Sequence, residues 1–409
     1  MRKLKSVFVG IIISTALLCG GCADMLEGYL EDFGVGEPTA EPLTQEQDLE
    51  SASAADTQET ETAETDAQQE EEISELYYAY HKLDSERQTL YREIFRALSE
   101  MDESAELSTT DTSLIDTTFA CVVNDHPELF YVDGYQYTEY GFGSTVTSVA
   151  FQGTYTKTPE EVRALRLQIG QQLASCLAGA PADGDEYDTV KYLYEYLINN
   201  TEYDKSAGDN QNICSVFLNG RSVCQGYAEA FQYMLQNMGI QAFVVTGFTN
   251  GERHAWNLVR VNGDYYYIDP TWGDASYTLE GDPADSASAP PINFDYFLVT
   301  TDELTRTHSI ERAVELPECT AVKDNYFVRE GLYFDSYDAD RLKAIFDSEN
   351  VRSADFVTLK CSTMKCYDEF LQRLVQNQEI FGYISGQGES IAYTSNQYQR
   401  TISFWNIFY

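Results

Sequence analysis

Positive charge is scarce in this chain of 409 residues, which has 26 Lys and Arg against 67 Asp and Glu and a formal net charge of −41. Nucleic acid and anionic membrane surfaces repel so acidic a protein, so we expect no nucleic-acid partner and no membrane attachment by surface charge. Histidine is also scarce, and the four copies are dispersed along the sequence: His81, His126, His254 and His308. Without a clustered ligand set, the sequence predicts no metal and no cofactor.

An apolar run over residues 6–18 follows a basic N terminus and is too short to span a bilayer, as is typical of a secretory signal peptide. The run leads into LLCGGC (17–22), which resembles a bacterial lipobox, although Cys19 stands where such motifs usually have an aliphatic residue. We therefore expect a lipoprotein signal peptide over residues 1–21, lipidation at Cys22 and anchoring to the outer face of the bacterial cell membrane. A cleaved signal with free secretion is the alternative.

Lysine and arginine are absent from residues 23–72, which contain 17 Asp and Glu among Thr, Ala, Gln and Ser. Such a segment cannot bury enough apolar surface to offset the entropy lost on ordering, so residues 22–72 are predicted to be an acidic disordered tether. The remainder still has 23 basic and 50 acidic residues, and the repulsion of nucleic acid therefore extends to the folded part.

Three further regions are expected after the tether. Residues 73–180 alternate helical and strand patterns and are predicted to form an N-terminal α+β module, residues 181–300 a core, and residues 301–409 a C-terminal α+β module. Within them, INFDYFLVT (292–300) is predicted to be a strand and NYFVREGLYF (325–334) a hairpin. The aromatic residues of the C-terminal module favour a sheet core, and substrate presentation or partner binding are its functional options.

Six cysteines besides Cys19, Cys22 and Cys224 follow no spacing typical of a disulfide framework or a zinc site, and no two of the six form a Cys-x-x-Cys pair: Cys121, Cys176, Cys214, Cys319, Cys361 and Cys366. In an exported protein they could form three disulfides, but a chain of this length does not need them to stabilise its core. Their pairing stays open.

A helix is predicted to begin beside Cys224, in the stretch SVCQGYAEAFQYMLQNMGI. Ser222 and Gln225 fit the capping-box pattern, which predicts Ser222 as the N-cap and Cys224 as the second helical residue. Apolar residues then recur at three- and four-residue steps, and Gly239 ends the helix. The unpaired N–H groups and dipole of a first helical turn favour a reactive thiolate and can bind an oxyanion, as acyl transfer through a thioester requires.

A hairpin that carries a histidine and an aspartate is predicted 30 residues later, in RHAWNLVRVNGDYYYIDPTW. Asn262 and Gly263 between two strand-like runs are a strong signal for a two-residue turn. In that register Trp256 lies opposite Asp269, and His254 and Asp269 are diagonal neighbours on one face, roughly 7–8 Å apart at the backbone. Asp269 can then orient the imidazole, and the imidazole can take the proton of a thiol.

Each of these three residues also has an ordinary structural explanation. Cys224 would be a core residue, His254 a strand histidine with its hydrogen bonds satisfied, and Asp269 the end of a strand. Together, their positions favour a catalytic Cys224, His254 and Asp269.

The segments VCQGYAEAFQYMLQNMGI, HAWNLVRVNGDYYYIDPTW and the preceding NTEYD resemble the core of the transglutaminase-like superfamily over roughly residues 185–275. The resemblance implies an α+β, papain-like fold in which a helix bearing the cysteine packs on an antiparallel sheet bearing the histidine and aspartate. It implies Cys224 as nucleophile, His254 as general base and acid, and Asp269 as the residue that orients the imidazole.

Two classes of function are compatible with this sequence. The favoured one is a surface-anchored cysteine hydrolase or acyltransferase that acts on peptide or protein amides, as a peptidase or amidase or as a transglutaminase. The sequence does not separate hydrolysis from transamidation, because the fate of an acyl-enzyme depends on how the site excludes water and holds a second substrate. The alternative is a non-catalytic binding or scaffold lipoprotein with the same fold and an inert Cys224.

Overall fold

The structure is a computed structural model that describes residues 75–142, 145–274, 292–311, 314–384 and 391–408. The predicted signal peptide, the lipidation site at Cys22 and the acidic tether lie outside the described residues. Across these ranges, no helix has both the length and the apolar character needed to cross a membrane.

The N-terminal part is a mixed helical and strand unit. Its elements are α1 (Tyr78–His81), α2 (Ser85–Glu100), β1 (Ala105–Glu106), α3 (Thr112–Asp125), β2 (Val132–Phe142), β3 (Thr145–Tyr155) and α4 (Pro159–Leu177). The two long strands form an antiparallel ribbon, and β1 pairs with the other edge of β3. Thr158 and Glu161 form a capping box at the start of α4, with Pro159 as the first helical residue, so its local sequence sets where this helix begins.

The central part places one buried helix against an antiparallel sheet. Its elements are α5 (Glu186–Asn200), β4 (Glu202–Tyr203), β5 (Arg221–Ser222), α6 (Cys224–Asn237), β6 (Ala242–Thr249), β7 (Glu252–Val261), β8 (Asp264–Ile268), α7 (Pro270–Gly273), α8 (Thr301–Leu304) and β9 (His308–Glu311). The sheet has the strand order β8-β7-β6-β9, and α6 packs on β6 and β7, where Ala228 forms a buried cluster with Val244 and Ala255. The predicted α+β class, with the cysteine helix on an antiparallel sheet, is confirmed.

The hairpin between β7 and β8 has the predicted register. Asn262 and Gly263 form the loop with φ angles of 49° and 88°, and Val261 pairs with Asp264. Positive φ at both loop residues is what a type I′ turn requires, which explains why this dipeptide sets the register. The ladder runs only as far as the pair of Asn257 and Ile268. Asp269 does not pair with Trp256 as predicted but is the N-cap of α7.

The C-terminal part has its own sheet. Its elements are α9 (Tyr326–Arg329), β10 (Tyr333–Phe334), α10 (Ala339–Asp347), α11 (Glu349–Ala354), β11 (Phe356–Cys361), α12 (Met364–Phe370), β12 (Ala392–Asn396) and β13 (Thr401–Trp405). The order β10-β11-β13-β12 defines what we call the C-terminal sheet. Its apolar core, which includes Phe346, Phe370 and Phe404, is separate from the larger core that extends from Tyr78 to Phe327.

Two predicted elements are wrong. Residues 292–300 are not a strand but contribute only single bridges to β8 and to Asp274, because Leu298 has a φ of 53° that breaks the extended conformation. Residues 325–334 are not a hairpin. Asn325 caps α9 instead, and the following β10 pairs in parallel with β11, so the second half of the segment joins a distant strand.

Candidate active site

Cys224 is the first residue of α6, and its predicted capping box is wrong. The N-cap is Val223, which has no side chain able to cap the helix. Ser222 donates its hydroxyl hydrogen to the carbonyl oxygen of Asn210 at 2.8 Å, and Gln225 donates to Glu229 at 2.9 Å. Both residues therefore have partners other than the one that the capping-box pattern predicts, and Cys224 lies one position nearer to the helix terminus.

The start of α6 differs from the other long helices. Every other described helix of nine or more residues begins with a side-chain cap, namely Asp84, Asp111, Thr158, Asp185 or Asp338. The first turn of α6 thus keeps N–H groups that no side chain caps, at the positive end of the helix dipole. This environment suits a thiolate at Cys224 and an oxyanion bound beside it.

Gly226 lets the preceding loop approach the start of this helix. A Cβ atom at Gly226 would lie 2.0 Å from the hydroxyl of Ser222 and 3.0 Å from the carbonyl oxygen of Asn210. The absence of a side chain therefore allows the loop that contains Asn210 to pack closely against the turn that carries Cys224.

His254 and Asp269 form a direct hydrogen bond. His254 lies on β7, and its Nε2 atom is 2.7 Å from Oδ2 of Asp269. This contact leaves Nδ1 as the ring nitrogen available to the thiol of Cys224, with which the imidazole also interacts. Asn257, three residues further along β7, donates to the carbonyl oxygen of Ala228 on α6 at 2.9 Å and so connects the strand to the cysteine helix.

The charge balance at His254 favours the imidazolium. Burial by itself lowers the pKa of His254, but the charge and hydrogen bond of Asp269 and the interaction with Cys224 raise it to about 10. An imidazolium held beside a thiol favours the thiolate form of that thiol. The three predicted residues therefore come together with the polarity that a nucleophilic cysteine requires.

Asp269 is fully buried and accepts four hydrogen bonds. Its Oδ1 accepts from the backbone N–H groups of Thr271 and Trp272 at 3.0 and 3.1 Å, and its Oδ2 accepts from His254 and from His308 at 2.7 and 3.1 Å. Burial raises the pKa of this carboxyl, but the two histidines outweigh that effect and hold it well below its usual range. Asp269 is consequently an ionised anchor for the imidazole.

His308 is the site residue that the sequence did not indicate. It is the first residue of β9, and β9 pairs with β6, which in turn pairs with β7. His308 follows Asp269 by 39 residues, and no local pattern in that interval relates the two side chains. Ligand atoms of His254, Asp269 and His308 all lie within 4.8 Å of one another, a spacing that a metal ion could bridge, so the expected absence of a metal stays a prediction.

Aromatic rings surround the histidines. Trp256, Trp272 and Tyr296 have ring centroids 4.9, 4.8 and 5.1 Å from that of His308. Such a wall keeps water away from the imidazole and carboxylate groups and strengthens their electrostatic interaction.

A family model matches the part of the chain that contains the cysteine helix and the hairpin. The family model described as the transglutaminase-like superfamily matches residues 175–270, a span that contains Cys224, His254 and Asp269. This part of the chain is a transglutaminase-like core.

Curated proteins similar to this chain include kyphoscoliosis peptidase of Homo sapiens and of Mus musculus. Each is 25% identical over an alignment of 105 residues that covers 22% of this chain and 16% of the relative. The chain therefore spans about a sixth of the length of these relatives.

Solved structures similar to this chain include one described as a TGase, with 19% identity, a TM-score of 0.26, and coverage of 36% of this chain and 46% of that one. Another is the periplasmic domain of TgpA from Pseudomonas aeruginosa, with 20% identity, a TM-score of 0.21, and coverage of 31% and 56%.

Proposed function

We propose that this protein is a cysteine acyl-transfer enzyme that acts on peptide or protein amides through a thioester at Cys224. The observation that carries the proposal is the position of Cys224 at an uncapped helix start, beside an imidazole that Asp269 holds at 2.7 Å. A thiolate, a proton carrier and a group that orients the carrier are the parts that nucleophilic catalysis by cysteine requires.

Formation of the thioester uses all three residues. The Cys224 thiolate attacks the amide carbon, and a carbon–sulfur bond forms while the carbonyl oxygen becomes an oxyanion. N–H groups of the first turn of α6 stabilise the oxyanion. The carbon–nitrogen bond then breaks, and the amine leaves with the proton that His254 donates.

Resolution of the thioester reverses the role of the imidazole. Water or a second amine attacks the acyl carbon, and Nδ1 of His254 takes its proton. The carbon–sulfur bond breaks, which restores the thiolate and the imidazolium. Attack by water makes the protein a peptidase or amidase, and attack by an amine makes it a transglutaminase.

The site of action is part of the proposal and rests on the sequence. The basic start, the apolar run of residues 6–18 and the lipobox-like motif support export and a lipid anchor at Cys22 on the outer face of the cell membrane. The acidic tether over residues 22–72 would then separate the enzyme from the membrane, and the substrate would be a peptide or protein outside the cell.

The test measures amide turnover by the purified protein. Fluorogenic peptidyl amides report hydrolysis, and a biotin-tagged primary amine with casein reports transamidation. Cys224→Ala is expected to lower either activity by about three orders of magnitude or more. Mass spectrometry of the intact wild-type protein should detect an acyl adduct at Cys224 that hydroxylamine removes.

Cys121→Ala is the matched control, because Cys121 is a buried free cysteine on α3 and should leave turnover unchanged. Activity that survives Cys224→Ala, or an adduct that maps to another cysteine, would overturn the proposal. A wild-type protein that turns over no amide and has an unreactive Cys224 would instead support the non-catalytic scaffold.

A further inference from the structure

His308 has a defined donor and acceptor on each side of its ring. Its Nε2 faces Oδ2 of Asp269 at 3.1 Å, and its Nδ1 faces the hydroxyl of Thr307 at 2.9 Å. Asp269 is an ionised acceptor, so Nε2 of His308 must donate the hydrogen, and Nδ1 is then free to accept one from Thr307. The side chain of His308 is fully buried, so these contacts are screened from water.

Further hydrogen bonds continue from Thr307 to the C-terminal sheet. The hydroxyl groups of Thr307 and Tyr296 are 2.8 Å apart, and Tyr296 also forms a hydrogen bond with the side chain of Gln399. Gln399 is fully buried in the turn between β12 and β13. Donors and acceptors can therefore be arranged in one direction, from the Gln399 amide through Tyr296, Thr307 and His308 to Asp269.

Gln399 is itself held by charged and backbone groups. Its Nε2 donates to the carbonyl oxygen of Glu303 at 3.0 Å, and its Oε1 accepts from Lys360 at 3.3 Å. Lys360 lies on β11, is 1% exposed and forms an ion pair with the Glu303 carboxylate at 3.0 Å. These contacts fix the amide orientation of Gln399, because a flipped amide would direct its NH₂ group at the Lys360 ammonium.

We propose that His308 is a positioning residue for Asp269 and His254, and that Gln399 of the C-terminal sheet sets its orientation through Tyr296 and Thr307. The proposal rests on the proposed function, since it concerns how His254 is presented to Cys224. It gives the C-terminal sheet a role in the active site: the sheet supplies the fixed end of a buried hydrogen-bond chain that terminates at the carboxylate.

The physical basis is the sharing of one carboxylate oxygen. Oδ2 of Asp269 accepts from both histidines, so the direction of the His308 donor restricts where the carboxylate and the His254 ring can lie. A small displacement of the imidazole weakens its interaction with a thiol strongly, because both the distance and the hydrogen-bond angle change.

The experiment measures the rate of iodoacetamide labelling at Cys224 against pH in the full-length protein, with peptide mapping to distinguish the other cysteines. His308→Phe removes both ring nitrogens and is expected to lower the rate at pH 6 by about tenfold and to move the profile to higher pH. His308→Gln retains an Nε2–H donor and should restore most of the rate. Tyr296→Phe and Thr307→Val should each lower the rate by about two- to fivefold, because they remove one link and keep the donor to Asp269.

Two variants are matched controls. Tyr131→Phe removes a buried tyrosine hydroxyl that donates to the carbonyl oxygen of Leu98, and His126→Phe replaces a buried histidine in the N-terminal part. Both should leave the labelling profile unchanged even if the melting temperature falls. A merely structural role for His308 would likewise lower the melting temperature without moving the profile.

A folded His308→Phe protein with the wild-type profile, or a His308→Gln protein as impaired as His308→Phe, would overturn the positioning role alone. If His308→Phe does not fold, Tyr296→Phe and Thr307→Val decide the question in the same assay. A wild-type Cys224 that is labelled only after unfolding would overturn both this inference and the proposed function. If the His308 variants change the labelling rate as expected but the wild-type protein turns over no amide, the proposed function is overturned and the positioning role still holds.

Discussion

His254 and His308 donate to the same carboxylate oxygen of Asp269, at 2.7 and 3.1 Å. Two backbone N–H groups donate to its other oxygen, so the carboxylate accepts four hydrogen bonds in all. An anion bound in this way stays ionised despite its burial, and it stabilises positive charge on the imidazole that faces Cys224.

Labelling of Cys224 by iodoacetamide is expected to stay fast at pH 6, where an isolated thiol with an ordinary pKa of about 8.5 is almost entirely protonated. His254→Ala should slow the reaction at that pH by about tenfold or more, since it removes the cation that stabilises the thiolate. The exposed His81 provides the control, because His81→Ala should leave the rate unchanged. Equal rates for wild type and His254→Ala would contradict a pairing of Cys224 with His254.

Asp269→Asn is expected to destabilise the protein by about 3–5 kcal/mol, measured by urea denaturation at pH 7. An amide has one acceptor oxygen and one NH₂ group, so one of the two pairs of donors around Asp269 would lose its acceptor. Asp264→Asn in the same hairpin should change stability by no more than about 0.5 kcal/mol, because that carboxylate is half-exposed. If Asp269→Asn loses as little free energy of unfolding as Asp264→Asn, the four hydrogen bonds of Asp269 contribute little to stability.

The contribution of His254 to stability should depend on pH in a defined direction. Its pKa is about 10 in the folded protein and about 6.5 in an unfolded chain, so folding favours the protonated ring. The stabilising contribution is complete below pH 6.5 and is lost as the pH rises toward 10. The difference in unfolding free energy between wild type and His254→Gln should therefore shrink from pH 6 to pH 10, and a constant difference would contradict the pairing with Asp269.

Glu229 on α6 should also make the protein less stable as the pH rises, because burial penalises its ionised form. Burial raises the pKa of its carboxyl to about 8, and the hydrogen bond from Gln225 opposes only part of that rise. The folded protein thus holds a proton that the unfolded chain releases, and stability falls as the pH rises from about 4.5 to 8.

Glu229→Gln removes this penalty and should be nearly neutral at pH 5. Above pH 5, the free energy of unfolding of Glu229→Gln should rise relative to that of the wild type by up to ~1.4 kcal/mol for each pH unit, until about pH 8. Glu195→Gln, at a partly exposed position paired with Lys191, is the comparison in the same urea titrations and should show no such trend. A stabilisation by Glu229→Gln that is independent of pH would mean that Glu229 is ionised in the folded protein.

Local sequence predicted much of this site. The spacing of apolar residues predicts α6, because a helix repeats its buried face every three to four residues. Asn262 and Gly263 predict the hairpin register, because few residue pairs adopt positive φ at both loop positions. Where the sequence failed locally, a tertiary contact had replaced the local one, as for Ser222, whose hydroxyl bonds to Asn210 rather than capping the helix.

By itself, then, the sequence determined the cysteine helix, the hairpin and the resemblance to the transglutaminase-like superfamily, since each depends on residue types within a short stretch. Only the tertiary structure decided that His308 and Gln399 connect to Asp269 from later segments. Those contacts depend on which strands become neighbours in the sheets, and residues 39 or more positions apart carry no periodic pattern that would fix such a neighbour in advance.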